Sequence, residues 1–163
     1  MTVSSTLLLM RTVGNLSNVL LTNSPLDGTA LVAAGVAAVD SHVKLVRGAY
    51  RHGETLRDGG SMLQPSKEAT DEEYNKCAAM LLEAAVGGDG GSDTAAPTAS
   101  LLLASHNRES VHLVAEAMRQ RGVPSDHPNV HFAQILGMAD DLTLTMGLSG
   151  FNAHKLVPFG AFE

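Results

Sequence analysis

The sequence predicts an α/β fold, a partial (βα)8 barrel of the TIM type with about four βα units. Three observations carry that prediction. From residue 29 onward, apolar runs of strand length alternate with segments of helical periodicity. Strands separated by helices must run parallel. The residues able to do chemistry recur at the carboxyl ends of successive strands, where barrel sites lie. Four strands cannot close a barrel, so an arc of one is expected. No Gly-x-Gly-x-x-Gly follows any strand and there is no P-loop pattern, which removes the two common nucleotide-binding signatures.

The chain divides into a divergent N-terminal segment, residues 1–28, and a barrel domain, residues 29–163, with a flexible Gly-rich insert at 87–98. In the first segment Asp27 is the first acidic residue, and serine, threonine and leucine surround a single arginine, Arg11. That outline is shared with mitochondrial transit peptides, but one arginine is few for such a signal, and a plain helix is the expectation. Thr29 to Val39 has helical composition, weakened by Gly35. Val43 to Arg47 reads as a strand by its branched residues and period of two.

A loop from Gly48 to Pro65 then leads to a helix starting at Ser66 or Thr70, and Thr70-Asp71-Glu72-Glu73 has the form of a capping box. Tyr74, Cys77, Ala78, Leu81 and Ala85 follow at three- and four-residue spacing, the inner face of that helix. Gly87-Gly88 ends it and opens the low-complexity insert. Ser100 to Ala104 has the continuous apolar pattern of a strand buried on both faces. Ser105-His106-Asn107 closes it, and a helix with Val111, Val114, Ala115 and Met118 inward runs to Gly122 and Pro124. Val130 to Ile135 is the next strand, Asp140 to Leu148 a short helix, and Asn152 to Val157 a weaker strand.

Composition narrows the functional classes. The 163 residues are 44% apolar, enough for one core, and the absence of tryptophan leaves packing to aliphatic side chains. A net charge of -6 offers no basic field for a phosphate backbone, so no nucleic-acid partner is expected. Cys77 is the single cysteine and reads as a core residue of a reduced protein. The longest apolar run, Leu31 to Val39, is about half of what a membrane helix needs. The seven histidines are scattered, so no metal site is expected.

Lys44 and Val46 share one face of their strand, and Val43, Leu45 and Arg47 the other. If Val43 and Leu45 pack under helices, Lys44 points into the barrel. An unpaired ammonium there calls for an electron-rich ligand. Otherwise Lys44 lies exposed on a frayed edge. Gly48 would admit close backbone approach to such a ligand, and Tyr50 would supply a ring wall. Ser105-His106-Asn107 lies at a helix N-terminus, where unpaired N–H groups and the helix dipole favour a phosphate. Its bland reading is a helix cap by Ser105 or Asn107 and a surface histidine.

Four segments in order resemble the carboxyl-terminal half of the proline dehydrogenase family: Lys44-Leu45-Val46-Arg47-Gly48-Ala49-Tyr50; Ala104-Ser105-His106-Asn107; Phe132-Ala133-Gln134-Ile135-Leu136-Gly137-Met138; and Gly150-Phe151-Asn152 through Lys155 to Pro158-Phe159-Gly160. The resemblance covers residues 29–163. It implies a distorted (βα)8 barrel binding FAD, which oxidises L-proline to 1-pyrroline-5-carboxylate, the first step of proline catabolism, and passes electrons to a quinone. It also implies a mitochondrial location, cytoplasmic being the alternative, and a possible membrane-surface association through the quinone.

By the same resemblance Lys44 sits beside the flavin ring near its reactive nitrogen. Val46, Arg47, Gly48 and Ala49 contact the cofactor, and Ser105 and His106 hold its phosphate and adenosine side. Tyr50, Ile135 and Leu156 line the substrate pocket. Leu156 stands where the family has a tyrosine against the substrate ring, which bears on which ring is admitted. The family's two arginines for the substrate carboxylate belong to a helix past Glu163, and its early strands have no counterpart in residues 1–28. From this follows the expectation of two exposed sheet edges and an exposed apolar inner face, with a chain that by itself is weakly folded or associates with itself. A non-catalytic barrel remnant acting as an interaction partner is the alternative.

Overall fold

The computed structural model describes residues 5–11, 17–21, 41–47, 64–87 and 99–157. They form one six-stranded sheet with helices packed on one face. In chain order the elements are β1 (Ser5–Arg11), β2 (Ser17–Leu21), β3 (Ser41–Arg47), α1 (Lys67–Val86), β4 (Ala99–Ala104), α2 (Arg108–Gln120), β5 (Val130–Ile135), α3 (Asp140–Leu148) and β6 (Ala153–Leu156). The sheet order is β2-β1-β3-β4-β5-β6. Strands β3, β4, β5 and β6 are parallel neighbours in chain order, as expected of an arc of a (βα)8 barrel.

The segment before residue 28 departs from expectation. Instead of a helix, its described residues form two strands, β1 and β2, antiparallel to each other. β1 also runs antiparallel along β3, from Ser5 opposite Arg47 to Arg11 opposite Ser41. A leucine-rich run without helical periodicity is locally ambiguous. The unpaired edge of β3 offers it a full ladder of backbone partners, and that tertiary opportunity overrides helix propensity. Among the described residues β1 and β2 thus cover the expected edge at β3 and move it to β2, while the other edge is β6 as expected. The predicted helix over 29–39 lies outside the described residues.

Helix α1 starts from Ser66, whose hydroxyl accepts from the Ala69 amide at 3.1 Å. Thr70, the other expected start, is a buried first-turn residue whose hydroxyl donates to the Ser66 carbonyl at 2.9 Å. Gly87, at φ 72°, ends the helix by donating its amide to the Glu83 carbonyl. The inner face is the predicted one, with Tyr74, Ala78, Leu81 and Ala85 buried and Leu82 added. Tyr74 seats its ring in the core and donates its hydroxyl to the Leu45 carbonyl at 3.4 Å. Such side chains contribute roughly 1.5–3 kcal/mol each by burial.

Strand β4 corrects a second expectation. Leu101 and Leu103 are buried, but Ser100, Leu102 and Ala104 are only half-buried. The helices cover one face of the parallel sheet, and the other lines an open concavity, so the continuous apolar run hides an alternating environment. In β5, Val130, Phe132 and Gln134 point to the covered side. Phe132 meets Phe151 edge-on, with ring centroids 5.5 Å apart. Asn107 caps α2 by accepting from the Ser110 amide at 3.0 Å, and Gly122 closes the helix at φ 67°. Helix α3 begins after Ala139, which occupies the left-handed region at φ 49° without a side-chain cap.

Candidate functional site

The concave face of the sheet forms a cavity of about 880 Å³. Register fixes what faces it. Lys44 is opposite Leu102, Val46 opposite Ala104, Ala104 opposite Ala133, and Ile135 opposite Leu156. Because side chains alternate along a strand, burying Val43 and Leu45 under α1 turns Lys44 and Val46 to the cavity. Lys44 is half-buried there and takes no ion-pair or hydrogen-bond partner among the described residues. An ammonium on a largely apolar wall favours an anionic or electron-rich guest.

The turn Ser105–Asn107 closes the cavity at the carboxyl ends of the strands. His106 accepts from the Ile135 amide through Nε2 at 3.1 Å. The ring proton therefore resides on Nδ1 in the neutral imidazole. Burial, helped by the nearby charge of Lys155, holds the His106 pKa below its ordinary value. Lys155 in turn donates to the carbonyls of Met138 at 3.0 Å and Ile135 at 3.4 Å and pairs with Asp140. It thus ties the loop after β5 to β6.

Lys44, Val46, Arg47, Ser105, His106, Ile135 and Leu156 all border this one cavity. Gly48, Ala49 and Tyr50 lie outside the described residues. Two of the seven spend their polar atoms inside the protein. The Ser105 hydroxyl accepts from Arg47 Nη2 at 3.2 Å and from the Asn107 amide at 3.1 Å. The Arg47 guanidinium also donates to Asp71 at 2.5 Å and to the Ser110 hydroxyl at 3.4 Å, and it stacks 4.9 Å from the Tyr74 ring centroid. Asn107 caps α2, as the plainer reading of the turn expects, while His106 is half-buried and lines the cavity instead of standing on the outer surface.

Three polar features have no forewarning in the sequence. Gln134 is 2% exposed, donates to the Ser105 carbonyl at 3.2 Å and accepts from the Thr143 hydroxyl at 2.7 Å. Its only sequence signal is a second polar residue, after His131, in a mostly apolar strand. Asp71 reads as part of a cap, yet it is the counter-charge of Arg47. His131 and His154, on neighbouring strands of the concave face, share a hydrogen bond of 3.0 Å. Among the described residues no group of three or more metal-ligating side chains forms, and no helix is long and apolar enough to cross a membrane.

Known proteins match this chain in sequence and in fold. The family model for proline dehydrogenase matches residues 29–163. A hydroxyproline dehydrogenase from Bos taurus is 37% identical over 135 residues, which is 80% of this chain and 28% of that protein. The human mitochondrial proline dehydrogenase 1 is 34% identical over 122 residues, 72% of this chain and 19% of that protein. A solved structure of proline utilization A (PutA) from Bdellovibrio bacteriovorus, inactivated by N-propargylglycine, superposes with a TM-score of 0.65. It is 22% identical in sequence and covers 83% of this chain and 13% of its own, so the likeness is one of fold. The chain thus spans under a third of the length of these relatives. With the family model spanning the whole barrel segment, the chain belongs to the proline dehydrogenase family.

Proposed function

We propose that this chain supplies one wall of a flavin site in which the ring of proline or hydroxyproline is oxidised to the corresponding 1-pyrroline carboxylate. The observation that carries the reading is the placement of Lys44. Its ammonium, without a partner among the described residues, stands on an apolar concavity whose far end is the Ser105–Asn107 turn at the start of α2. Apolar walls suit a flat ring system, and a helix N-terminus suits a phosphate. These residues fit FAD, with Lys44 and Val46 toward the ring and His106 toward the phosphate and adenosine side. Bound flavin would supply the hydride acceptor.

The protein's own share is positioning and charge. Lys44 places a positive charge where electron density would accumulate in the ring. Neutral His106, with its Nε2 already bonded to Ile135, offers only an Nδ1–H donor to a ligand. Ile135 and Leu156 would line the substrate side with apolar surface. Leu156 has no hydroxyl and less bulk than tyrosine, leaving room for a substituted ring. Relatives named for hydroxyproline and for proline both match this chain, and we take either ring as a candidate substrate. A quinone acceptor, mitochondrial residence and self-association through the open β6 edge complete the reading.

Purified protein tests it directly. A yellow preparation with flavin absorbance, and dye reduction dependent on proline or hydroxyproline, is the expected result. A colourless protein that cannot be reconstituted with FAD rejects it and supports a non-catalytic barrel remnant.

A further inference from the structure

The Arg47 guanidinium is a junction of four elements. It leaves the end of β3 on the helix-covered side and meets Asp71 in the second turn of α1. It also meets Ser105 in the turn after β4, Ser110 in the first turn of α2, and the face of Tyr74. Its side chain is only 10% exposed and that of Asp71 22%. A guanidinium so far from water is held in place only if its charge is met.

Asp71 meets it, and is itself steadied by Lys67 at 2.5 Å. Burial works to raise the Asp71 carboxyl, but the hydrogen bond from Lys67 and the charges of Arg47 and Lys67 outweigh it and hold the pKa low. The carboxylate is therefore permanently available to Arg47 near neutral pH. What Arg47 does with its other amino group is hold the Ser105 hydroxyl in the rotamer that accepts from the Asn107 amide. Asn107 then caps α2, and His106 between them reaches Ile135. Arg47 also borders the cavity. Released from Asp71, its guanidinium has open space to swing into, and the Ser105 hydroxyl loses a donor.

We propose that Asp71 is a positioning residue for the ligand-binding turn: by anchoring Arg47 it fixes Ser105, and through Ser105 it sets the backbone of His106 and Asn107 at the phosphate end of the site. The ligand it serves, FAD, rests on the function proposed above. The relation between Asp71 and the turn rests on the geometry alone. Asp71 touches no ligand in this scheme and acts only through Arg47.

Two measurements test it. In hydrogen–deuterium exchange of the full chain, Asp71→Asn is expected to speed exchange of the Asn107 and Ser110 amides, with the Ala69 amide, held by Ser66 on the same helix as Asp71, as an unchanged control. In FAD titration, Asp71→Asn is expected to raise Kd about tenfold, a loss typical of one charged contact, and Asp71→Glu to recover most of it. Adding Asp71→Asn to Ser105→Ala is expected to weaken binding no further than Ser105→Ala alone. Unchanged exchange at Asn107 and Ser110 overturns the proposal whatever the flavin does, and so do multiplicative effects of the two substitutions on Kd. Wild-type protein with no flavin affinity overturns the functional reading instead, and the exchange result still decides the role of Asp71.

Discussion

The Ile135 amide donates to His106 Nε2 at 3.1 Å, joining the turn after β4 to the end of β5. A protonated imidazole would present N–H against N–H there, which adds to the effect of burial and the charge of Lys155 in keeping the ring neutral. Since the folded state disfavours the proton, the unfolded chain binds it first as pH falls. The His106 contribution to stability is complete above the ordinary histidine value of 6.5 and is lost as pH drops through it toward the lower folded value. Urea midpoints on either side of that value should show the loss. His106→Gln should flatten the difference, and an equally steep profile in that variant would remove His106 from the account.

Gln134 spans two elements with its amide, from the Ser105 carbonyl to the Thr143 hydroxyl. Gln134→Ala leaves both partners short inside the protein and opens a void. A loss of about 2–4 kcal/mol is expected in chemical denaturation. Thr143→Val removes the hydroxyl that donates to Gln134 and also reaches the Ala139 carbonyl, at nearly constant volume, and should cost about 1 kcal/mol. Equal stability of all three proteins would show that water satisfies these groups.

Lys44→Met keeps the length of the side chain and removes its charge. Flavin reduction by substrate should slow at least tenfold while cofactor affinity changes little, if the charge acts on the reduced ring rather than on binding. Stopped-flow absorbance against an equilibrium titration separates the two. Reduction at the wild-type rate would reject the role given to Lys44.

β1 covers the edge of β3 over its whole length. Deleting residues 1–21 should expose seven residues of unpaired strand and shift the protein toward larger species in size-exclusion chromatography. An unchanged elution profile would mean that the β3 edge does not drive association.

Core substitutions supply the reference scale. Leu103, fully buried between β3 and β5 and opposite Leu45 and Phe132, should cost about 3 kcal/mol when changed to Ala. Thermal or urea unfolding measures it, and a cost under 1 kcal/mol would indicate that the sheet is loosely covered.

The sequence alone determined the described elements from β3 onward, because periodicity and helix punctuation are local. Val130–Ile135 and Asp140–Leu148 fall where the pattern puts them, and Gly87 and Gly122 stop their helices by backbone geometry that few other residues accept. It also determined that Lys44 and Val46 share a face, since a strand has a period of two. Tertiary structure alone decided three things. Residues 5–11 became a strand because β3 had an edge to fill, and edges are not written in the segment that covers them. β4 is buried on one face because the described helices pack against that side of the sheet alone. The partners of Arg47 lie 24, 58 and 63 residues away, at Asp71, Ser105 and Ser110. A charge that looks free along the chain is paired by folding, and no spacing rule reaches that far.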